Sequence, residues 1–258
     1  MNDLENQRVV VFGGLSGIGR AVADAFRQAH ARVFVADLAA TADEPDSAQV
    51  DISDYESVKT VVSHIAEKWG GIDHVICAAA KGSGKFGFPF WNLDPADWQS
   101  VLEVSLVGSV NVAHACQPWL CEGESEGRTV LFFTSVAGQI GSQTDPPYSA
   151  AKAGIVNFTQ CAAKDFAPYG IRVNALSPGM VKTDLNESVW ATSQANIPPE
   201  NRETYAEWAE KKIKTIAPLG RWQEPEEFGA MAVYLASRKA RNITGQTINI
   251  DGGQVMHS

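Results

Sequence analysis

The order of apolar runs along this chain constrains its fold more than any other feature. Short runs with few polar residues recur between residues 8 and 250, and stretches with the spacing of amphipathic helices separate most of them. Because such strands need cover on both faces, the alternation indicates a parallel sheet with helices on either side. The predicted fold class is therefore α/β, a doubly wound parallel sheet in three α/β/α layers.

The same pattern predicts the individual elements. With 45% hydrophobic residues and no linker or repeat, residues 1–258 are expected to form a single domain. The predicted strands are Arg8–Phe12, Arg32–Ala36, His74–Ala80, Arg128–Thr134, Ile171–Leu176 and Gln246–Ile250. The predicted helices are Ile18–His30, Tyr55–Trp69, Pro95–Leu120, Pro147–Phe166 and Glu224–Ser237.

Charge and composition exclude several classes of protein. The net charge is -9, the pI is about 5.0 and no basic cluster occurs, so neither nucleic acid nor a membrane surface is an expected partner. A polar N-terminus and the lack of an apolar run of about 20 residues predict a cytoplasmic protein. The four cysteines form no Cys-x-x-Cys pair, so no metal site is expected. Cys77 and Cys161 are predicted to be reduced core residues.

A glycine-rich turn follows the first predicted strand. Gly13, Gly17 and Gly19 precede a helix, and glycines here let backbone amides approach a pyrophosphate at the helix N-terminus. Asp37 ends the second strand, eighteen residues after Gly19, where a carboxylate would bond a ribose 2′-hydroxyl and repel a 2′-phosphate. Leu15 and the serine after it supply no cation for that phosphate. The turn therefore predicts NAD as cofactor and makes NADP less favoured, unless Asp37 is only a turn aspartate.

A second motif, Tyr148 and Lys152, lies on the predicted helix Pro147–Phe166. Because the residues are four apart, their side chains share a face, and a nearby ammonium lowers the pKa of a phenol from about 10 toward neutrality. Ser135, thirteen residues before Tyr148, ends a predicted strand and would orient the same oxygen. Alone, the pair also fits an ordinary helix-surface contact. Together with the glycine-rich turn, it predicts that Tyr148 exchanges a proton with a substrate alcohol.

These motifs resemble the short-chain dehydrogenase/reductase family, in its compact single-domain form with a Rossmann-like fold. The similarity extends from about Arg8 to Gly253 and includes Asn174 and Ser177-Pro178-Gly179. It implies reversible oxidation of a secondary alcohol to a ketone by a homodimer or homotetramer. The implied catalytic residues are Ser135, Tyr148 and Lys152. The implied cofactor contacts are Gly13, Leu15, Ser16, Gly17, Ile18, Gly19, Asp37, Leu38, Asp51, Ile52, Ala79, Tyr148, Lys152, Pro178, Gly179, Val181 and Thr183.

Three positions depart from the family pattern. Phe12 stands where a threonine is usual, and Cys77-Ala-Ala-Ala80 replaces Asn-Asn-Ala-Gly, two sites that usually share a hydrogen bond. Ser105 aligns with the helix asparagine that holds a proton-relay water, and Asn111 is expected to face elsewhere. Ser105 is therefore only a candidate fourth catalytic residue. An NADP-dependent carbonyl reductase and a dinucleotide-binding scaffold with degraded catalysis are the alternative functions.

Substrate choice depends on loops, and two long segments are expected to line the pocket, residues 81–98 and 184–216. Their aromatic residues fit either a substrate pocket and lid or packing between subunits: Phe86, Phe88, Phe90, Trp91, Trp190, Tyr205 and Trp208. Candidate partners for substrate hydroxyls are Gln139, Gln143 and Asp145, and Lys85 is a candidate partner for a substrate carboxylate. A polyol, sugar or sugar acid is the first substrate hypothesis, and a hydrophobic alcohol or steroid is the second.

Overall fold

A parallel sheet of seven strands forms the centre of the described part of the chain. The computed structural model describes residues 4–41, 45–85, 87–123, 127–141, 144–195 and 197–256. The strand order is β3-β2-β1-β4-β5-β6-β7, and all neighbouring strands are parallel. The strands are β1 Arg8–Phe12, β2 Arg32–Asp37, β3 Ser47–Gln49, β4 His74–Cys77, β5 Thr129–Phe133, β6 Arg172–Pro178 and β7 Thr247–Ile250. β3 was not predicted, because Ser-Ala-Gln contains no apolar run.

Helices cover both faces of this sheet, as predicted. The helices are α1 Gly17–Gln28, α2 Tyr55–Trp69, α3 Pro95–Leu102, α4 Gly108–Cys121, α5 Pro146–Phe166, α6 Asp184–Gln194, α7 Tyr205–Ile216 and α8 Pro225–Ala236. α1 and α8 bury apolar side chains against one face. α2, α4 and α5 bury theirs against the other. The doubly wound, three-layer α/β fold is therefore confirmed. Within the described residues, no helix has both the length and the apolar character to cross a membrane.

Local signals account for the best-predicted element, α2. Asp54 lies just before the helix, and its carboxylate accepts hydrogen bonds from the amides of Glu56 and Ser57. Gly70 follows the last turn with φ of 73°, the left-handed conformation that ends many helices. The observed bounds, Tyr55–Trp69, are those predicted.

The predicted helix Pro95–Leu120 exists but is irregular in its middle. α3 continues through a π-helical turn, Glu103–Val107, into α4. Such turns are rare and are often found at functional sites. Ser105 lies at the centre of this turn and is fully buried.

One core prediction is wrong. Cys77 is buried at the end of β4, but Cys161 is exposed on α5. The apolar run around Cys161 reflects a helix whose inner face consists of Ile155, Ala162 and Ala163, which leaves position 161 turned outward.

Candidate active site

The predicted site residues converge at the carboxyl ends of the strands. β1 lies between β2 and β4. The chain therefore runs from β1 outward to β2 and β3, and later crosses back to form β4 on the other side of β1. Ligands of doubly wound sheets bind at this switch point. Asp37 ends β2, Ser135 follows β5, and Pro178 ends β6. The structure therefore brings these residues to the same edge as the β1–α1 turn.

Glycines in the β1–α1 turn allow contacts that larger residues would prevent. A Cβ at Gly19 would lie 1.9 Å from the carbonyl oxygen of Gly13, and a Cβ at Gly13 would lie 2.6 Å from the amide nitrogen of Ala79. Gly13 and Gly17 also have positive φ, 79° and 50°. The Ser16 side chain makes no capping bond, so the first amides of α1, including that of Ile18, remain suited to an anion. This backbone cradle fits a dinucleotide pyrophosphate.

Asp37 connects the end of β2 to that cradle. Its Oδ2 accepts a hydrogen bond from the amide of Leu15 at 3.0 Å, and its Oδ1 accepts one from the amide of Ala39 at 3.0 Å. Leu38 beside it is 63% exposed. The two hydrogen bonds hold the Asp37 carboxylate next to the glycine-rich turn.

Asp51 and Ile52 follow β3 at the same edge of the sheet. Asp51 Oδ1 accepts from the amide and the hydroxyl of Ser53, at 2.9 and 2.6 Å. The carbonyl oxygen of Ile52 accepts from Asn111 Nδ2 at 2.9 Å. Ile52 also packs on Gly108, where a Cβ would lie 2.7 Å from Ile52 Cγ1. Asn111 faces this segment and not the catalytic residues, as expected, but no motif signalled that it fastens the segment.

The ends of β1 and β4 meet through main-chain hydrogen bonds. The carbonyl oxygen of Phe12 accepts from the amides of Ala78 and Ala79, at 2.9 and 3.1 Å. The Phe12 ring is fully buried in the core. The two positions that depart from the family pattern are therefore still joined, by backbone bonds and apolar packing.

The segment after β6 reaches the glycine-rich turn. A Cβ at Gly17 would lie 3.5 Å from Thr183 Cγ2. Gln223, which is 3% exposed, holds this segment: its carbonyl accepts from the amide of Lys182 at 3.1 Å, and its amide donates to the carbonyl of Met180 at 2.9 Å. Val181 forms a β-bridge with Gln223 and is buried. The predicted contacts Pro178, Gly179, Val181 and Thr183 thus lie on one segment whose anchor, Gln223, sequence analysis missed.

The first turns of α5 are attached directly to β5. Thr134 Oγ1 donates to the carbonyl oxygen of Lys152 at 2.7 Å, and Lys152 Nζ donates to the carbonyl oxygen of Phe133 at 2.6 Å. Lys152 is 2% exposed. These bonds fix the side of the helix that carries Tyr148.

The turn after Ser135 makes the second attachment. Ser149 Oγ donates to the carbonyl oxygen of Ala137. A Cβ at Gly138 would lie 2.6 Å from the carbonyl carbon of Lys152, so only glycine permits the turn to pack this closely. The amide of Ala137 donates to Ser135 Oγ at 3.2 Å. Thr134, Gly138 and Ser149 position the predicted catalytic residues, and residue type alone did not distinguish them from ordinary turn residues.

Lys152 does not lower the pKa of Tyr148 in this structure. Burial raises the pKa of Tyr148 to about 12, the Asp145 carboxylate adds to the rise, and a hydrogen bond with Ser135 opposes it. Burial also lowers the pKa of Lys152 to about 8. Its Nζ lies 5.4 Å from the centre of the Tyr148 ring and is bonded to a main-chain carbonyl. The expected direction for Tyr148 is wrong here because burial and the Asp145 carboxylate together outweigh the hydrogen bond with Ser135.

Ser105 holds the start of the 81–98 segment. Its Oγ accepts from the amide of Lys81 and donates to the carbonyl of the same residue, both at 2.9 Å. The main-chain carbonyl of Ser105 accepts from Ser109 Oγ at 3.1 Å. The side chain that replaces the usual asparagine therefore binds a loop backbone.

Two predicted substrate contacts are instead bonded within the protein. Gln139 Nε2 donates to Ser177 Oγ and to Asn249 Oδ1, both at 2.7 Å. Lys85 Nζ pairs with Asp97 at 2.8 Å, although its side chain remains 52% exposed. Two further candidates, Phe86 and Gln143, lie outside the described residues.

The 184–216 segment forms α6 and α7 around an aromatic cluster of Trp190, Tyr205, Trp208 and Trp222. The Tyr205 ring lies 5.9, 6.0 and 6.5 Å from the rings of Trp190, Trp208 and Trp222. By contrast, Phe88, Phe90 and Trp91 of the 81–98 segment are 50%, 61% and 71% exposed. The two aromatic segments, grouped together by sequence, are therefore built differently.

The fold and site together define an oxidoreductase of the nicotinamide-dinucleotide type. A family model described as enoyl-(acyl carrier protein) reductase matches residues 13–255. The chain belongs to the short-chain dehydrogenase/reductase family, whose members oxidise alcohol groups or reduce keto groups with a nicotinamide dinucleotide.

Relatives with different substrates share this family. The chain is 30% identical to 3-oxoacyl-[acyl-carrier-protein] reductase of Thermotoga maritima, over 98% of this chain and 99% of the relative. It is 29% identical to D-threitol dehydrogenase of Mycolicibacterium smegmatis, over 97% and 93%. The ligand-free structure of Thermoplasma acidophilum aldohexose dehydrogenase superposes with a TM-score of 0.86 at 24% identity, covering 100% of this chain and 97% of that one. This last similarity concerns the fold.

Proposed function

We propose that this protein is an NAD-dependent oxidoreductase that interconverts a secondary alcohol and a ketone, with Tyr148 as acid/base. The observation that carries the proposal is the double attachment of α5 to β5. Hydrogen bonds to Phe133 and Ala137 hold Lys152 and the helix that carries Tyr148 next to Ser135. All three residues lie at the same sheet edge as the backbone cradle after β1.

The residues of the chain position the substrate oxygen and move its proton. When bound, the nicotinamide supplies acceptance or donation of hydride. In the reducing direction, Tyr148 Oη donates its proton to the carbonyl oxygen while Ser135 Oγ orients that oxygen. In the oxidising direction the phenolate accepts the hydroxyl proton. Because burial raises the pKa of Tyr148 to about 12, the phenol is the dominant form at neutral pH, and the oxidation rate should rise with pH.

Asp37 supports NAD over NADP. Its carboxylate is fixed by the amides of Leu15 and Ala39, so it cannot turn away from a ligand without loss of two hydrogen bonds. A 2′-phosphate would bring a second negative charge to this position, whereas a 2′-hydroxyl would donate to it.

A small polyol or sugar is the substrate class we favour, in keeping with the similarity to D-threitol dehydrogenase. Asp145 lies at the start of α5, and each of its carboxylate oxygens, already bonded to one backbone amide, retains a lone pair for a second hydroxyl of the substrate. The similarity to a 3-oxoacyl reductase favours carbonyl reduction as the second candidate.

We also propose a homodimer or homotetramer. Tyr234 on α8 is 42% exposed, and β7 ends the sheet with four half-buried residues. Val107, in the π-helical turn before α4, is 46% exposed. These faces suit contact with further copies of the chain.

Calorimetric titration with NAD and, separately, NADP tests the cofactor assignment. We expect the protein to bind NAD in clear preference to NADP. In an activity assay, we then expect it to oxidise polyols or sugars with NAD. Preference for NADP would move the assignment to carbonyl reduction. Binding of NAD without turnover would favour the catalytically degraded scaffold, and binding of neither dinucleotide would reject both assignments.

The variant Tyr148→Phe tests the reaction assignment in the same preparation. Turnover should fall by about 10²-fold or more, because the phenol is the group that transfers the proton. NAD affinity should change little, since the cradle after β1 is untouched. Near-normal turnover would refute Tyr148 as acid/base.

A further inference from the structure

Asp145 joins three parts of the site. It is the residue before α5, and its Oδ1 accepts from the amide of Tyr148 at 3.4 Å, which caps the helix. Its Oδ2 accepts from the amide of Ser83 at 2.8 Å. One carboxylate therefore binds both the backbone of Tyr148 and the loop on the substrate side.

The loop approaches Asp145 closely because two of its residues are glycines. A Cβ at Gly82 would lie 2.8 Å from Asp145 Oδ2, and a Cβ at Gly87 would lie 2.6 Å from Pro146 Cδ. The amide of Gly87 donates to the carbonyl of Thr144 at 2.8 Å. Ser83 and Gly87 are thus held to the segment before α5, and Asp145 supplies the side chain in the bond to Ser83.

We propose that Asp145 is a positioning residue of this site: its carboxylate fastens Ser83 to the first turn of α5 and places a negative charge at the start of the helix that carries Tyr148. The proposal rests on the proposed function and adds a residue to it. Asp145 would then influence both the fit of the substrate, through the loop, and the ionisation of Tyr148, through its charge.

Several groups of the described residues bear on the phenol. Lys152 lies one turn along α5, and Ser135 contributes a hydroxyl from the end of β5. Lys85 on the adjacent loop is paired with Asp97, and the Cys77 thiol acts on Lys152. The pKa of Tyr148 is raised by burial first and by Asp145 second, so removal of the carboxylate should lower it.

Ionisation of Tyr148 can be measured without a substrate. Tyrosinate absorbance is followed during a pH titration of the wild type and of Asp145→Asn, and the Tyr148→Phe titration in each background is subtracted to isolate Tyr148. Asparagine retains the size and the capping ability of aspartate but removes the charge. We expect the Tyr148 midpoint to fall by roughly one pH unit. An unchanged midpoint would overturn the proposed effect of the charge, whatever reaction the protein catalyses.

The loop contact is tested by kinetics on a polyol or sugar oxidised by the wild type. Asp145→Ser retains a capping side chain but is too short to span to Ser83, so KM should rise about tenfold or more while NAD affinity stays within about twofold. The matched control is Asp97→Asn, which removes a carboxylate from the other contact of the same loop. Equal KM in Asp145→Ser and the wild type would refute the loop role, and an equal rise in both variants would show that Asp145 has no special part. Lack of any turnover in the wild type would reject the proposed function but leave the titration result valid.

Discussion

The cofactor side and the substrate side of this site are built by different means. On the cofactor side, backbone atoms approach so closely that Gly13 and Gly19 cannot be larger. On the substrate side, side chains form the connections, as in the bonds from Asp145 to Ser83 and from Lys85 to Asp97. A backbone approach demands one residue type at a fixed spacing, whereas a side-chain contact can be made by many combinations. The first kind of construction is therefore readable from a sequence, and the second is not.

The largest expected effect comes from Gly19→Ala on the cofactor side. The new Cβ would lie 1.9 Å from the carbonyl oxygen of Gly13, so the strand and the helix must separate. We expect the free energy of unfolding to fall by about 3 kcal/mol and NAD affinity to fall by more than about 100-fold. Chemical denaturation and calorimetric titration measure the two quantities.

Gly141→Ala is the matched control, because a Cβ at Gly141 would meet no atom within 4 Å. Both its stability and its NAD affinity should equal those of the wild type. Normal NAD binding by Gly19→Ala would mean that the cofactor side tolerates side-chain variation as the substrate side does. The proposed difference in construction between the two sides would then be refuted.

A smaller change is expected at Asp37, whose side chain accepts from the amide of Leu15 in the glycine-rich turn. Asp37→Asn keeps an acceptor for the Leu15 amide but removes the charge. The ratio of NAD to NADP affinity should fall by about 10- to 100-fold, which corresponds to roughly 1.4 to 2.8 kcal/mol. Asp46→Asn removes an equal charge near β2 and should leave that ratio unaltered. An unmoved ratio in Asp37→Asn would refute the account of cofactor choice.

The sequence-based predictions were more accurate for the cofactor side than for the substrate side. The strand–glycine–helix order is confirmed, and Asp37, Tyr148 and Lys152 lie at the end of the sheet where they were expected. Each of these features combines a residue type with a fixed position in a regular element. The short strand β3 and the π-helical turn at Ser105 were missed, because neither depends on apolar periodicity.

Substrate-side roles were misassigned for a different reason. Gln139 and Lys85 were expected to contact a substrate. Instead, Gln139 bonds to Asn249, which is distant along the chain, and Lys85 bonds to Asp97, which is not adjacent to it in sequence. Likewise, the pKa of Tyr148 depends on burial, which no local spacing reveals. Asp145 did carry a usable signal: an aspartate directly before two prolines is typical of a helix start.

Substitution of Tyr205, in the aromatic cluster, is expected to weaken substrate binding and to leave NAD binding unchanged. Tyr205→Ala removes the ring that contacts Trp190, Trp208 and Trp222, and each such contact contributes about 0.5 to 1.5 kcal/mol. We expect KM to rise about tenfold and tryptophan emission to shift to longer wavelength, with NAD affinity within about twofold of the wild type. Tyr205→Phe keeps the ring and should behave as the wild type. A loss of NAD affinity in Tyr205→Ala equal to the rise in KM would show that the two sides are not separable.

The smallest effect is expected at Ser105, where the two sides meet. Ser105→Ala removes both hydrogen bonds to Lys81, each with a net contribution of about 0.5 to 1.5 kcal/mol, so KM should rise about threefold while kcat is retained. A fall in kcat of about 100-fold at constant KM would instead make Ser105 part of the proton path.

Ser105→Asn supplies the complementary measurement, and little change in turnover is expected because the serine already satisfies the loop backbone. A large gain in turnover would mean that this chain has lost catalytic efficiency at Ser105, and the irregular turn would then belong to the catalytic machinery and not to the substrate side.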